Sequence, residues 1–331
     1  MRYRTFPGTD LKVSELGFGV WTLTAGWWGD HTEAEAVALL RKGLDLGVTF
    51  YDTADTYGNG YGEEILDKAF GKRRKDVVIA TKGGYDFYTN PGARSGQREW
   101  PQDMSGPFIR FACEQSLKRL GTDYIDMYQL HNVKLADLKS DELFETLEVL
   151  QREGKIRHYG VALGPAIGWL DEGIYSMEDR HVTALQIIHN MLEQDPGRAF
   201  LETARDHPCG MMVRVPHSSG MLEGHYTLET TFPEGDHRNH RPKEWLINGL
   251  KKIDHLKFLY EDRGLTLGQA ALKWLLAEPL IITTLPNIYG EEQLLEFAAA
   301  PDKADLTADD LRRVAELYDN NFYLEKQPAV V

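Results

Sequence analysis

Cysteine is nearly missing from this chain: only Cys113 and Cys209 occur among 331 residues, far apart and in no CxxC or metal-ligand spacing. A disulfide-stapled scaffold is thereby excluded, and a reducing compartment, the cytoplasm, is expected. Basic charge is also in deficit. With 37 Lys and Arg against 51 Asp and Glu, the formal net charge is -14, so no basic face is available to neutralise the phosphates of a nucleic acid. The one dense basic run, Lys72, Arg73, Arg74 and Lys75, follows a predicted helix, where cations beside the terminal carbonyls are ordinary. No apolar run approaches the roughly 20 residues that cross a bilayer, and the opening MRYRTFPGTD has the pattern of neither a signal peptide nor an anchor. No membrane partner is expected. Low-complexity tracts are absent as well, and at 42% hydrophobic residues the chain can bury a large core without staples, as one domain over residues 1–331.

What is present is an alternation of short β-branched or aromatic runs with amphipathic helical stretches. Strands are predicted at 16–21 (LGFGVW), 49–54 (TFYDTA), 77–82 (VVIATK), 125–131 (IDMYQLH), 158–162 (HYGVA), 184–190 (ALQIIHN), 211–216 (MMVRVP) and 280–286 (LIITTLP). Helix starts are legible between them: Thr32 with Glu35 forms a capping box before AVALLRKGLDLG, and Ser140 precedes DELFETLEVLQREG, which ends on Gly154. Strand and helix repeated about eight times predicts an α/β fold of the (β/α)8 TIM-barrel type, whose functional groups come from strand C-terminal ends. RYRTF and LKV around Pro7 and Gly8 predict a hairpin over the barrel's bottom. A doubly wound open sheet is the alternative, but its G-x-G-x-x-G fingerprint fails at Thr22, where the third glycine is missing.

Four chemically complementary residues fall at or just past the ends of successive strands: Asp52, Tyr57, Lys82 and His131. An unperturbed phenol, with a pKa near 10, is a poor proton donor at neutral pH and a useful one beside a cation. An ammonium about 4 Å from a phenolate contributes on the order of 4 kcal/mol at an effective dielectric near 20. Lys82 can supply that charge, Asp52 can keep Lys82 protonated, and His131 can donate a hydrogen bond to a substrate oxygen. Taken singly, each also has a bland role as a cap, a loop aromatic, a strand-end charge or a core histidine. Complementary types at consecutive strand ends favour the joint reading. Tyr51 and Tyr128 are aimed elsewhere by strand alternation.

DTADTYG, the lysine closing VVIATK, the histidine of YQLHN and the run GKIRHYGV resemble the aldo-keto reductases. The stretch TTFPEGDHRN and its surroundings are similar to that superfamily's bacterial inositol-linked branch, related to potassium-channel β-subunits. The resemblance implies an NAD(P)-dependent oxidoreductase acting on small carbonyl or alcohol substrates, with Tyr57 as acid/base and a nicotinamide cofactor extended across the barrel mouth. Among contacts to that cofactor it implies Gln186 for the carboxamide, Pro216, Ser218, Gly220 and Leu222 near the pyrophosphate, and Asn287, Tyr289 and Gln293 at the adenosine end. Three departures stand out. Ala162 and Leu163 replace the family's Ser-Asn pair, and Arg214 replaces an aromatic residue stacked on the ring. Arg214 either stacks its guanidinium there, disfavouring the oxidised ring, or turns to a carboxylate. Where the family carries basic side chains for a 2′-phosphate, this chain offers Asn287, Tyr289, Gly290, Gln293 and Phe297 with Glu291 and Glu292 alongside. NADP(H) is the family default; this substitution leaves NAD(H) open, or NADP(H) held by basic groups elsewhere, such as the loop after the seventh strand.

Trp21, Trp27 and Trp28 in the first loop, with Tyr85 and Trp100 in the Gly-rich connection 83–106, are expected to line the substrate mouth. The loop from His217 to Lys243 is expected to clasp the cofactor. Two other functions are open: a cofactor-sensing binding subunit with little turnover, and a metal-dependent hydrolase using His131, His189, His217 and Asp52. A homo-oligomer is compatible with the sequence, which does not set the oligomeric state.

Overall fold

The computed structural model describes residues 1–24, 26, 28, 30–89, 100–164, 169–234 and 236–324. A two-stranded antiparallel hairpin opens the chain, β1 (Tyr3–Thr5) against β2 (Lys12–Ser14), with Tyr3 opposite Ser14. Eight parallel strands follow: β3 (Gly17–Gly19), β4 (Phe50–Asp52), β5 (Val78–Gly83), β6 (Ile125–His131), β7 (Ile156–Ala162), β8 (Ala184–Ile188), β9 (Gly210–Arg214) and β10 (Ile281–Leu285). Each pairs with its sequence neighbour. The circle closes just before β3, where Leu16 bridges Thr284 in parallel and the Thr284 amide donates to the Glu15 carbonyl at 2.9 Å. The architecture is therefore the (β/α)8 barrel, and the open sheet is set aside.

Strand ends differ from expectation where the chain must turn into the mouth. Trp21 leaves the first strand and opens a short helix, Trp21–Thr24, and Val215 adopts φ 55 immediately after β9. A β-branched residue rarely holds that conformation.

Period-two alternation sets the interior. Phe50, Ala80, Met127, Ala184 and Met212 pack with Phe6, Leu11 and Val13 of the hairpin in one apolar cluster that plugs the barrel's N-terminal end. Two residues further along the same strands stand Asp52, Lys82, Gln129, Gln186 and Arg214. The interior thus changes from hydrocarbon at the bottom to charge and amide at the top. The intervening positions face the helices: the buried Tyr51 hydroxyl donates to the Leu40 and Val48 carbonyls, and Tyr128 packs in the outer core with Cys113. The helix caps follow the sequence, with the Thr32/Glu35 box starting Glu33–Asp45 and the Ser140 hydroxyl accepting from the Leu143 amide before Asp141–Arg152. Among the described residues no helix is long and apolar enough to cross a membrane.

Candidate active site

Lys82 is the hub. Its ammonium, 1% exposed, donates to Asp52 Oδ2 at 2.6 Å, to the Thr53 carbonyl at 2.7 Å and to the Tyr57 hydroxyl at 3.3 Å. Burial works against its charge, but Asp52 and then Tyr57 outweigh it and raise the Lys82 pKa above the usual lysine value. The other carboxylate oxygen, Asp52 Oδ1, accepts from Gln129 Nε2 at 3.0 Å and Gln186 Nε2 at 2.8 Å. A buried carboxylate that receives an ammonium and two amide N–H groups has its lone pairs satisfied.

Tyr57 reaches this hub because the turn after β4 is tight. Its amide donates to the Ala54 carbonyl, and its carbonyl accepts from the Gly62 amide at 2.9 Å. A Cβ at Gly62 would come within 2.6 Å of Thr53 Oγ1 and 3.0 Å of Tyr57 Cβ, so only glycine lets helix Tyr61–Phe70 start this close. The Tyr57 ring meets Trp21 edge-on at 4.8 Å and His131 at 6.1 Å. His131 is braced by the loop after β5: Tyr85 lies edge-on to it at 5.0 Å, the Asn132 amide donates to the Tyr85 hydroxyl, and Gln102 donates to the His131 and Asn132 carbonyls.

Beneath that loop lies a second buried network. Glu63 accepts from Arg119 Nε at 2.6 Å and from the Thr81 hydroxyl, while Arg119 also donates to the Tyr88 hydroxyl at 3.0 Å. Burial, reinforced by the Glu63 charge, pushes the Asp55 pKa well above the ordinary carboxylate range.

The structure gathers the other expected residues in three places. Trp21 and Tyr85 join Tyr57 and His131 as above. Trp100 packs edge-on to Phe87 at 6.4 Å, further along the loop; Trp27 lies outside the described residues. Trp28 belongs to a strap with Tyr289 and Arg238: it stacks on Tyr289 at 5.5 Å, and the Arg238 guanidinium lies 4.2 Å from its ring centroid. Arg238 is fixed there by Asp236 and by the Tyr226 hydroxyl at 2.7 Å. Asn287 and Gln293 are half-buried on either side of Gly290, and Gln293 lies in the first turn of Glu291–Ala299.

After β9 the chain passes through Pro216 into a run of left-handed residues: Ser218 at φ 48, Ser219 at 57 and Gly220 at 91. Among the described residues no protein acceptor engages the Ser219 or Gly220 amides, whereas the Leu222 amide is bonded back to the His217 carbonyl. Successive free N–H groups of this kind make an anion-binding concavity. Ser218 donates to Glu193 at 3.2 Å, and Arg241 Nη2 donates to Ser219 Oγ at 3.2 Å, adding positive charge beside the concavity. Among the described residues Arg214 pairs with no carboxylate; it donates to the Leu163 carbonyl at 2.6 Å, and burial lowers its pKa against the pull of Tyr57 and Asp52. It stays a cation facing the site.

Two participants were not singled out from the sequence. Gln129 was detectable as an amide in a buried strand, two residues before His131 and hence on its face. Glu223 carries no such signal. It is 7% exposed, accepts from the Tyr289 hydroxyl at 3.4 Å, and has its pKa pushed up to about 7 by burial. The histidines of the metal alternative do not converge: His217 Nε2 lies 3.1 Å from the Gly268 carbonyl, His189 packs on Trp274, and burial lowers both to about 4. Among the described residues no group of three or more His, Cys, Asp or Glu side chains is arranged to hold a metal ion.

The sequence profile of the Aldo/keto reductase family matches residues 15–319. The chain is similar to the aldo-keto reductase YhdN of Bacillus subtilis, 32% identical over 84% of this chain and 82% of that protein. It is 28% identical to a probable voltage-gated potassium channel subunit beta of Arabidopsis thaliana, over 91% and 92% of the two chains. Among solved structures, the glycerol dehydrogenase AKR11B4 from Gluconobacter oxydans superposes with a TM-score of 0.81 at 25% identity, covering 99% of this chain and 98% of that one.

Proposed function

Since the chain belongs to the aldo/keto reductase family, we propose that it interconverts small carbonyl compounds and alcohols with a nicotinamide cofactor, Tyr57 acting as acid and base. The observation that carries this reading is the Lys82 ammonium held between Asp52 at 2.6 Å and Tyr57 at 3.3 Å.

Residues that fit such a cofactor are present: the Ser219–Gly220 amide concavity with Arg241 suits a pyrophosphate, and Gln186 suits a carboxamide while anchored on Asp52. When bound, the nicotinamide supplies a hydride to the carbonyl carbon. The chain's own groups handle the proton. A substrate carbonyl oxygen resting between Tyr57 and His131 receives hydrogen bonds from both, which orient it and stabilise negative charge as it builds. Tyr57 then gives up its hydroxyl proton, and the nearby ammonium stabilises the phenolate left behind. Asp52 keeps Lys82 charged, and Gln129 and Gln186 keep Asp52 in place. In the alcohol-oxidising direction the same phenolate takes the proton back. Trp21, Tyr85 and the strap residue Trp28 supply aromatic walls for the substrate.

The test is a single-turnover experiment. Purified protein loaded with NADH or NADPH is mixed with excess 4-nitrobenzaldehyde or glyceraldehyde, and loss of the reduced nicotinamide absorbance is followed. Rapid oxidation supports the reading. A protein that binds the dinucleotide but stays silent with every aldehyde instead supports cofactor sensing, the reading favoured by Ala162 and Leu163, whose side chains offer the carboxamide no hydrogen bonds.

A further inference from the structure

The buried Glu223 carboxylate has no place in the proton-transfer site; it lies in the loop after β9, against the strap residue Tyr289. Its Oε2 accepts from Tyr289, and Tyr289 is the strap residue stacked on Trp28. Among the described residues its buried Oε1 has no hydrogen-bond partner. Facing it at 3.7 Å is His217 Nδ1, also without a partner. Because His217 Nε2 points at the Gly268 carbonyl, the ring proton belongs on Nε2 and Nδ1 is a bare acceptor. Two acceptors side by side call for hydroxyl donors, and they repel an anion.

The cations around them are already paired. Arg238, whose charge Glu223 feels, is chelated by Asp236, and Lys42 is paired with Glu291 at 3.3 Å. The first turn of Glu291–Ala299 adds Glu292. Arg241 stands on Ser219, beside the amide concavity that suits a pyrophosphate shared by both dinucleotides.

Resting on the proposed nicotinamide-dependent function, we infer that Glu223 is the specificity-determining residue for the cofactor. It accepts a hydrogen bond from an adenosine ribose hydroxyl, so that NAD(H) is selected and the 2′-phosphate of NADP(H) is rejected. A carboxylate on a ribose hydroxyl is a known physical solution to this discrimination, whereas a dianionic phosphate beside a carboxylate is opposed at every distance within the site. Tyr289 positions the carboxylate from above and closes the strap over it.

The experiment uses the full chain and reads binding alone. At pH 8, above the titration of Glu223, NADH and NADPH are titrated against intrinsic tryptophan fluorescence, with AMP and adenosine 2′,5′-bisphosphate as fragments carrying only the adenosine end. The wild type binds NADH at least tenfold more tightly than NADPH, and the fragments show the same order. Glu223→Gln, which keeps shape and burial, narrows the ratio at least fivefold; Glu223→Ser serves if the glutamine variant fails to fold. Arg241→Leu weakens both dinucleotides by the same factor. The inference is overturned if NADPH binds as tightly as NADH, if the Glu223 variants leave the ratio unchanged, or if Arg241→Leu affects NADPH alone. Binding of both dinucleotides without discrimination defeats this inference only, whereas binding of neither defeats the proposed function with it.

Discussion

Lys82 Nζ lies 3.3 Å from the Tyr57 hydroxyl while remaining bonded to Asp52 at 2.6 Å. One buried cation therefore serves two oxygens, a structural one that keeps it charged and a reactive one that it stabilises. Removing it exposes both roles. Lys82→Met leaves Asp52 buried without its counter-ion, at a cost of about 3–5 kcal/mol in stability. Carbonyl reduction falls at least a hundredfold. Adding Asp52→Asn to this variant recovers much of the stability and none of the activity. Chemical denaturation and single-turnover kinetics on the same samples separate the two effects, and activity returning with stability would contradict the assignment.

Glu223 gives a pH dependence with a definite sign. Burial pushes its carboxyl up to about 7 in the folded chain from the 4.5 usual for a glutamate. Between those values the unfolded chain has released the proton while the folded chain keeps it, so the folded state binds more protons and stability falls as pH rises. The loss is complete above about pH 7 and amounts to about 3 kcal/mol, discounted for the protein's relaxation. Glu223→Gln removes it. The variant's melting temperature should match the wild type near pH 4.5 and exceed it at pH 8; a difference independent of pH would refute the burial argument.

Gly62 sits where a methyl group has no room, 2.6 Å from Thr53 Oγ1 and 3.0 Å from Tyr57 Cβ. Gly62→Ala should lower stability by about 1–3 kcal/mol. It should also reduce the rate of carbonyl reduction more than cofactor affinity, because the displaced segment carries Tyr57. Equal losses in both would indicate general unfolding.

These residues also show where sequence reading succeeds. Alternation along β4, β5 and β6 places Asp52, Lys82 and His131 on one face, and eight strand-helix units specify the barrel, so the hub and its scaffold were legible from local pattern. Gln129 shares that face, so the same alternation made its position legible, but its role emerges only with its Asp52 partner. Arg214 was visible as a substitution, but its bond to the Leu163 carbonyl depends on how two strand ends meet. Glu223 was invisible for a different reason: its neighbours Tyr289 and His217 come from separate loops, and only tertiary closure turns an ordinary glutamate into a buried, partly unpartnered carboxylate.

Proton delivery by the Tyr57 hydroxyl is the centre of the account, and Tyr57→Phe removes that oxygen while keeping the ring against Trp21 and His131. Single-turnover oxidation of bound reduced cofactor by excess aldehyde should slow at least a hundredfold, with the cofactor dissociation constant changed less than about twofold. A variant that retains more than about a tenth of the wild-type rate would contradict it.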